Sequence, residues 1–271
     1  MSIESIRSHY GFSRAPFGKD IPPQALHSHR GHAEATARIS YCISEKMIGV
    51  VTGECGSGKT VAARAAISSL DCSRHTAIYL GTPGVGLRGM YASIVAALGG
   101  VPRFHRASLI PQTTELIATE HAERGKSVVL VIDESHLLDA EVLEGLRCLS
   151  NDGMDAESRF SLILLGQPSL RRRLHLGSYA ALDQRVGLRY QVAPLDLAEC
   201  GSYIASHLRF AGRSDTLFSD DAVGLIHQVS RGLPRMVNNL CVQGLVATYS
   251  AGKAIVDESA ARAAVAEVAA E

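Results

Sequence analysis

The segment Met47-Ile48-Gly49-Val50-Val51-Thr52 runs straight into Gly53-Glu54-Cys55-Gly56-Ser57-Gly58-Lys59-Thr60, and this stretch constrains the chain more than any other. A short β-rich run turns through glycine into a helix-forming sequence over 59–70. That is the strand–loop–helix setting of G-x-x-x-x-G-K-[ST], with every fixed position filled. Glycines at 53, 56 and 58 permit positive φ and let bare backbone N–H groups close around phosphate oxygens. Lys59 would set an ammonium on β/γ-phosphates and Thr60 a hydroxyl on Mg²⁺. The helix that starts here, with Val61 in its first turn, aims its positive end at the same anion. Glu54, Cys55 and Ser57 complete the loop. Glu54 reads as a solvated side chain and Cys55 as a small tolerated residue, because a reactive thiol needs an exposed electropositive setting.

A phosphate loop needs a sheet, and the chain supplies the segments for one. TAIYL (76–80), SVVLVID (127–133), FSLILLG (160–166) and LRYQVA (188–193) resemble MIGVVTG (47–53). Four of these five lack clean polar/apolar alternation, which predicts strands covered on both faces and therefore parallel. Helical patterns lie at 33–45, 59–70, 88–98, 112–124, 139–150 and 169–185, giving a βαβ architecture. After Pro194 four helical segments follow with no strand between them, with Ser219 and Asp257 at N-caps and Gly212, Gly232 and Gly252 past helix ends. The reading is an arm at 1–30, irregular and carrying prolines at 16, 22 and 23, an α/β core at 31–193 and a small helical domain at 194–271.

Composition narrows the function classes. In 271 residues, 46% are hydrophobic and 20% charged, which describes a globular chain. The 27 Lys and Arg balance 27 Asp and Glu, so no global field marks a polyanionic partner and any basic patch must be local. Six cysteines without a C-x-x-C pair argue against a cysteine zinc site or a disulfide framework and fit a reducing compartment. No apolar signal segment or membrane-length run is evident, so a cytoplasmic protein is expected, with no membrane partner.

The second chemical landmark lies seventy-four residues beyond Lys59, where VVLVI ends in Asp133-Glu134. Ligands gather at the carboxyl ends of parallel strands, which puts these acids beside the phosphate loop. Asp133 would hold Mg²⁺ and Glu134 would polarise an attacking water as general base. His136 reads as a polar residue at a helix start. Gln167, after FSLILLG, is either a loop glutamine or a donor to the γ-phosphate or the lytic water.

With these motifs the chain resembles the AAA+ ATPases, and more narrowly the ExeA/GspA-like group, akin to transposition ATPases of the TniB, TnsC and MuB type. The matching segments are YGFSRAPF, GECGSGKT, VLVIDESHLL, LILLGQPSLRRRL, FSDDA and SRGLPRMVNNLC, reaching from residue 10 to about residue 250. The resemblance implies a P-loop AAA+ domain with a five-stranded parallel sheet and a helical lid, using ATP and Mg²⁺ and working as a homo-oligomeric ring or filament. It assigns the Walker roles to Lys59, Thr60, Asp133 and Glu134, sensor 1 to Gln167 and sensor 2 to Arg235 of G-L-P-R. The trans arginine finger falls on Arg185, with Arg189 and Arg173 as alternatives, and Pro16, Phe17 and the His32 region flank the adenine. Glutamine at sensor 1 departs from the asparagine or threonine of many AAA+ proteins. Physically, guanidinium groups suit charge spreading over a transferring phosphoryl group, and one supplied in trans couples turnover to assembly.

Two other features need a reading. His27, His29 and His32 have H-x-H-x-x-H spacing, but no cysteine or acid completes a ligand set, so no metal site is expected there. From Gln167 to Tyr190 five arginines face one acid, Asp183, and Arg88, Arg103 and Arg106 cluster near the loop at 81–89 and PRFHR. In the transposition relatives such core loops follow DNA, so these three are candidates for sequence-tolerant contact with double-stranded DNA. The expected function is then ATP-dependent assembly on DNA that recruits a transposase or integrase. The alternatives are a secretion-pathway, ExeA-like envelope assembly ATPase and a slow signalling NTPase switch. Secretion-pathway members carry a membrane span and a peptidoglycan-binding region after the ATPase, and neither is expected here.

Overall fold

In the computed structural model, which describes residues 3–18, 20–81, 83–151 and 158–269, the first half of the chain runs through α1 (Ile3–Tyr10), α2 (Arg30–Ser44), β1 (Ile48–Thr52), α3 (Lys59–Ser68), β2 (His75–Leu80), α4 (Gly86–Ala97), α5 (Arg106–Ala122) and β3 (Ser127–Ile132). It continues through α6 (Ala140–Leu149), β4 (Phe160–Gly166), α7 (Pro168–Leu174), α8 (Ala180–Asp183), β5 (Val186–Gln191), α9 (Leu197–Phe210), α10 (Asp220–Ser230), α11 (Pro234–Ser250) and α12 (Glu258–Ala269). Two compact units divide these elements. One comprises Glu34–Glu54 and Lys59–Val192, the other Met1–Ala33, Cys55–Gly58 and Ala193–Glu271.

The α/β unit is built on a parallel sheet of five strands among the described residues, in the order β2-β3-β4-β1-β5. Its central strands are apolar on both faces, for a reason the side-chain clusters make plain. Val128, Leu130 and Ile132 of β3 and Leu162 and Leu164 of β4 pack into one core with α4, α5 and α6. Val129, Val131, Ile163 and Leu165 pack into a second core with Ala35, Ile39, Ala62 and Ala66 of α2 and α3. A strand covered twice has no polar face to alternate with. Each buried aliphatic side chain contributes on the order of 2 kcal/mol, which anchors the register.

The helical unit has its own core, centred on Ile204, Leu208, Leu217, Ile226, Val237, Leu240 and Leu245. Its helix ends follow local chemistry. Ser219 Oγ accepts from Ala222 N–H at 3.2 Å and Asp257 Oδ1 from Ala260 N–H at 2.9 Å. Asp196 and Glu199 form a reciprocal capping box at the start of α9. Gly232 has φ +69°, and a Cβ there would lie 2.0 Å from the Leu195 carbonyl oxygen, so no other residue fits.

Some local expectations give way to packing. The segment taken as an irregular arm holds α1, fixed by Tyr10, which is buried and donates its hydroxyl to Leu245 O at 2.9 Å. The helix expected over 112–124 runs from Arg106 to Ala122, with Pro111 inside it. The single helix expected over 169–185 is broken into α7, a 3₁₀ turn at Gly177–Tyr179 and α8. An isolated parallel bridge, Phe218 with Val256, joins two loops where no strand was expected.

Candidate functional site

The carboxyl ends of β1, β4, β3 and β2 lie side by side because of the strand order. Gly53 N–H donates to Gly166 O at 3.2 Å, so the loop leaving β1 is tied to the end of β4. Asp133 N–H donates to Leu80 O at 2.9 Å, which ties the end of β3 to β2. The polar residues that follow each strand therefore converge.

Lys59, the first residue of α3, is buried, and its ammonium donates to the carbonyls of Gly53 at 2.8 Å and Glu54 at 2.9 Å. Burying a lysine this deeply is costly unless its charge is matched, so the loop holds a cation in place at the helix N-terminus. Thr60 Oγ1 donates to Asp133 Oδ2 at 2.6 Å, joining the loop to the acid strand across 73 residues of sequence. Val61 is half-buried behind it. Asp133 is buried, and Oδ1 accepts from Glu134 N–H at 2.8 Å.

Glu134 is set differently from its neighbour. Its backbone is left-handed, at φ 50° and ψ 34°, a conformation non-glycine residues rarely adopt and which often marks a functional position. The turn leaves the carboxylate half-exposed, with Oε2 3.5 Å from His136 Nδ1. His136 thus stands next to the general-base candidate, and its carbonyl accepts from Arg173. Gln167 is half-buried at the N-cap of α7 and makes no capping bond with its side chain.

The sequence reading missed Tyr79. Its hydroxyl donates to Asp133 Oδ2 at 2.9 Å. Burial, then the hydrogen bond and the charges of Asp133 and Glu134, push its pKa to about 12, so it stays a neutral donor across the physiological range. The available signal was a tyrosine next to the carboxyl end of TAIYL, the end of a parallel strand where ligands gather; strand order then sets it beside Asp133.

In the helical unit, Gly56 and Gly58 adopt φ +80° and +92°. Ser57 Oγ is buried with no hydrogen-bond partner among the described residues. Cys55 and Glu54 are exposed. Arg235, in the first turn of α11, donates its backbone N–H to Gly56 O at 3.2 Å and lies with Nη1 3.5 Å from Cys55 Sγ. Phe17 is buried against His207 (ring centroids 5.2 Å, stacked) and Phe218, while Pro16 beside it is half-buried.

The arginines differ in how they are held. Arg185 sits immediately before β5, half-buried, its N–H donating to Leu182 O at 3.0 Å. Arg189 is paired with Asp183 at 2.9 Å, and Arg173 donates to Tyr179 Oη at 3.2 Å. Arg88 stacks over Phe104, 5.2 Å from the ring centroid, and donates to the Phe104 carbonyl. Arg106 pairs with Glu141 at 2.6 Å, and Arg103 is exposed. Thr82, in the loop beside Arg88, lies outside the described residues.

The donor set suits a magnesium–triphosphate pair. It offers a buried ammonium beside a hydroxyl and a carboxylate already in contact. Residues 42–174 match the family described as AAA domain. The chain superposes on a Cdc6p structure from Pyrobaculum aerophilum with a TM-score of 0.69, at 15% identity over 89% of this chain and 67% of that one. The fold is that of the AAA+ proteins. An ORC2 structure from Aeropyrum pernix in ADPNP–ADP complexes gives a TM-score of 0.69 at 18% identity, covering 93% of this chain and 71% of that one. In sequence, the chain is 30% identical over 247 residues to general secretion pathway protein A of Aeromonas hydrophila, across 90% of its own length. It spans 45% of the length of that relative. No helix among the described residues is long and apolar enough to cross a membrane.

Proposed function

We propose that the chain binds ATP with Mg²⁺ and hydrolyses the γ-phosphate. The observation that carries this reading is the 2.6 Å contact between Thr60 and Asp133, with buried Lys59 beside it. Lys59 would bind the β- and γ-phosphates, and Thr60 and Asp133 would hold Mg²⁺, which neutralises charge on the phosphates when bound. Glu134 orients a water and takes its proton, while Gln167 donates to it or to the γ-phosphate. Arg235 would donate to the γ-phosphate, and Arg185 would supply a guanidinium to a neighbouring subunit of a homo-oligomer. Titration calorimetry should register heat on adding ATP with Mg²⁺, and phosphate release should fall at least about 100-fold in Glu134→Gln while ATP binding persists. No heat from the pure protein overturns the reading.

The similarity to general secretion pathway protein A supports a finer proposal, that this ATPase powers the assembly of an envelope secretion complex. A second reading, ATP-dependent assembly on double-stranded DNA with a transposase or integrase as client, draws on exposed Arg103 and on Arg88 beside exposed Phe104. Pairing of Arg106 with Glu141 weakens that patch. The two separate in one titration: retention of arbitrary duplex DNA by Glu134→Gln with ATP, lost as salt rises, supports DNA, and its absence at low salt leaves the secretion reading.

A further inference from the structure

The sheet has two edge strands, and they are protected unequally. At β5 the pairing with β1 shifts register between Ile48 and Gly49, and the strand carries Arg189. Bulges and charges of this kind discourage further strand pairing. β2, His75-Thr-Ala-Ile-Tyr-Leu80, pairs with β3 in unbroken register and carries no Lys, Arg, Asp, Glu or Pro. Ser127 N–H donates to Arg74 O and Asp133 N–H to Leu80 O, both at 2.9 Å. In a parallel ladder this parity turns the amides of residues 76, 78 and 80 towards β3 and those of Ala77 and Tyr79 outward.

Alongside that open edge runs a groove of about 510 Å³. One wall is α4, through Met90, Ser93, Ala96 and Ala97, and the other is β2 from Ala77 to Gly81. Ala77 and Tyr79 are exposed, whereas Ile78 is buried in its own core. Among the described residues these outward backbone groups have no partner, and a row of them beside a space of side-chain size is what an extended chain completes.

We propose that this groove docks an extended segment of a partner protein, added as a strand to β2, with apolar side chains at alternate positions filling the space against α4. A second copy of β2 fills it poorly, because Ile78 is already committed to its own core. Since Tyr79 belongs to both the groove and the Asp133 hydrogen bond, a docked strand bears on the acid that the proposed ATPase uses. That coupling rests on the ATPase reading; the docking does not.

The test is amide exchange on the full chain without nucleotide, so that its outcome is independent of hydrolysis. The probe is a pool of ten-residue peptides alternating Thr with Val, Ile, Leu or Phe, with lysine at both ends. At millimolar peptide the Ala77 and Tyr79 amides should slow by at least about tenfold, with Ile78 and Leu80 unchanged, because only outward amides gain a partner. Ala77→Pro, which removes an outward donor but no bond to β3, should abolish the protection. Ala97→Trp should do the same by filling the groove, and thermal melting checks that each variant is folded. Exchange at the free rate with the whole pool, or protection that survives Ala97→Trp, overturns the proposal. So does protection that grows with protein concentration alone, which would assign the edge to a second copy.

Discussion

The two units treat their buried polar groups differently. In the α/β unit most are answered: Lys59 by two carbonyls, Asp133 by Thr60 and Tyr79, Glu120 by Thr76 and Arg124, and Ser161 by Ile43 O. In the helical unit both ring nitrogens of His32 and Nδ1 of His207 are buried without a hydrogen-bond partner among the described residues. Burial holds His29 and His207 down to about 4 and lowers His27 and His32 as well, with Glu199 opposing it at His27 and His29. One unit spends its buried polarity on a site, and the other keeps neutral histidines in its interior. Acid sensitivity should therefore be local.

The largest expected effect tests that contrast directly. Below the unfolded value of 6.5 the unfolded chain takes up protons that folded His29 and His207 refuse, so stability falls as pH drops from 6.5 towards 4. The loss reaches about 3 kcal/mol for each of the two. Amide exchange at pH 7 and 4.5 should show the helical unit opening first; equal loss in both units would break the comparison.

Next is Lys59→Ala, which should weaken ATP binding more than about 100-fold by calorimetry, because it removes the buried cation. Affinity equal to the parent would mean that the α/β unit's buried ammonium serves structure alone. Gly232→Ala should destabilise the helical unit by roughly 3 kcal/mol in denaturant titration, since a side chain must meet the Leu195 carbonyl at positive φ. The smallest effect is Ser219→Ala, about 1 kcal/mol from the lost cap, with ATP binding unchanged.

Much of this architecture was legible in the residues. Doubly covered strands announce themselves through runs such as VVLVI, and Ser219, Asp257 and the three glycines mark helix ends by local chemistry that needs no partner. The bonding of Thr60 to Asp133 follows from a loop and an acid strand that both end at the same side of a parallel sheet. What stayed hidden depends on contacts distant in sequence. α1 is helical because Tyr10 reaches Leu245, and IESIRSHY is a weak helix candidate by itself. Tyr79 meets Asp133 only because β2 is β3's neighbour, an order that no pattern within TAIYL specifies. Phe17 lies in a hydrophobic core with His207, a packing role that the motif around it does not encode.

The left-handed turn at Glu134 has an implication for anyone selecting hardier variants. A side chain at φ 50° carries roughly 1 kcal/mol of backbone penalty that glycine escapes. Glu134→Gly should consequently raise the melting temperature of the α/β unit while silencing turnover. A screen for thermal tolerance would thus favour the very replacement that removes the proposed general base, and any improved variant altered at this position should be assayed for phosphate release before it is kept.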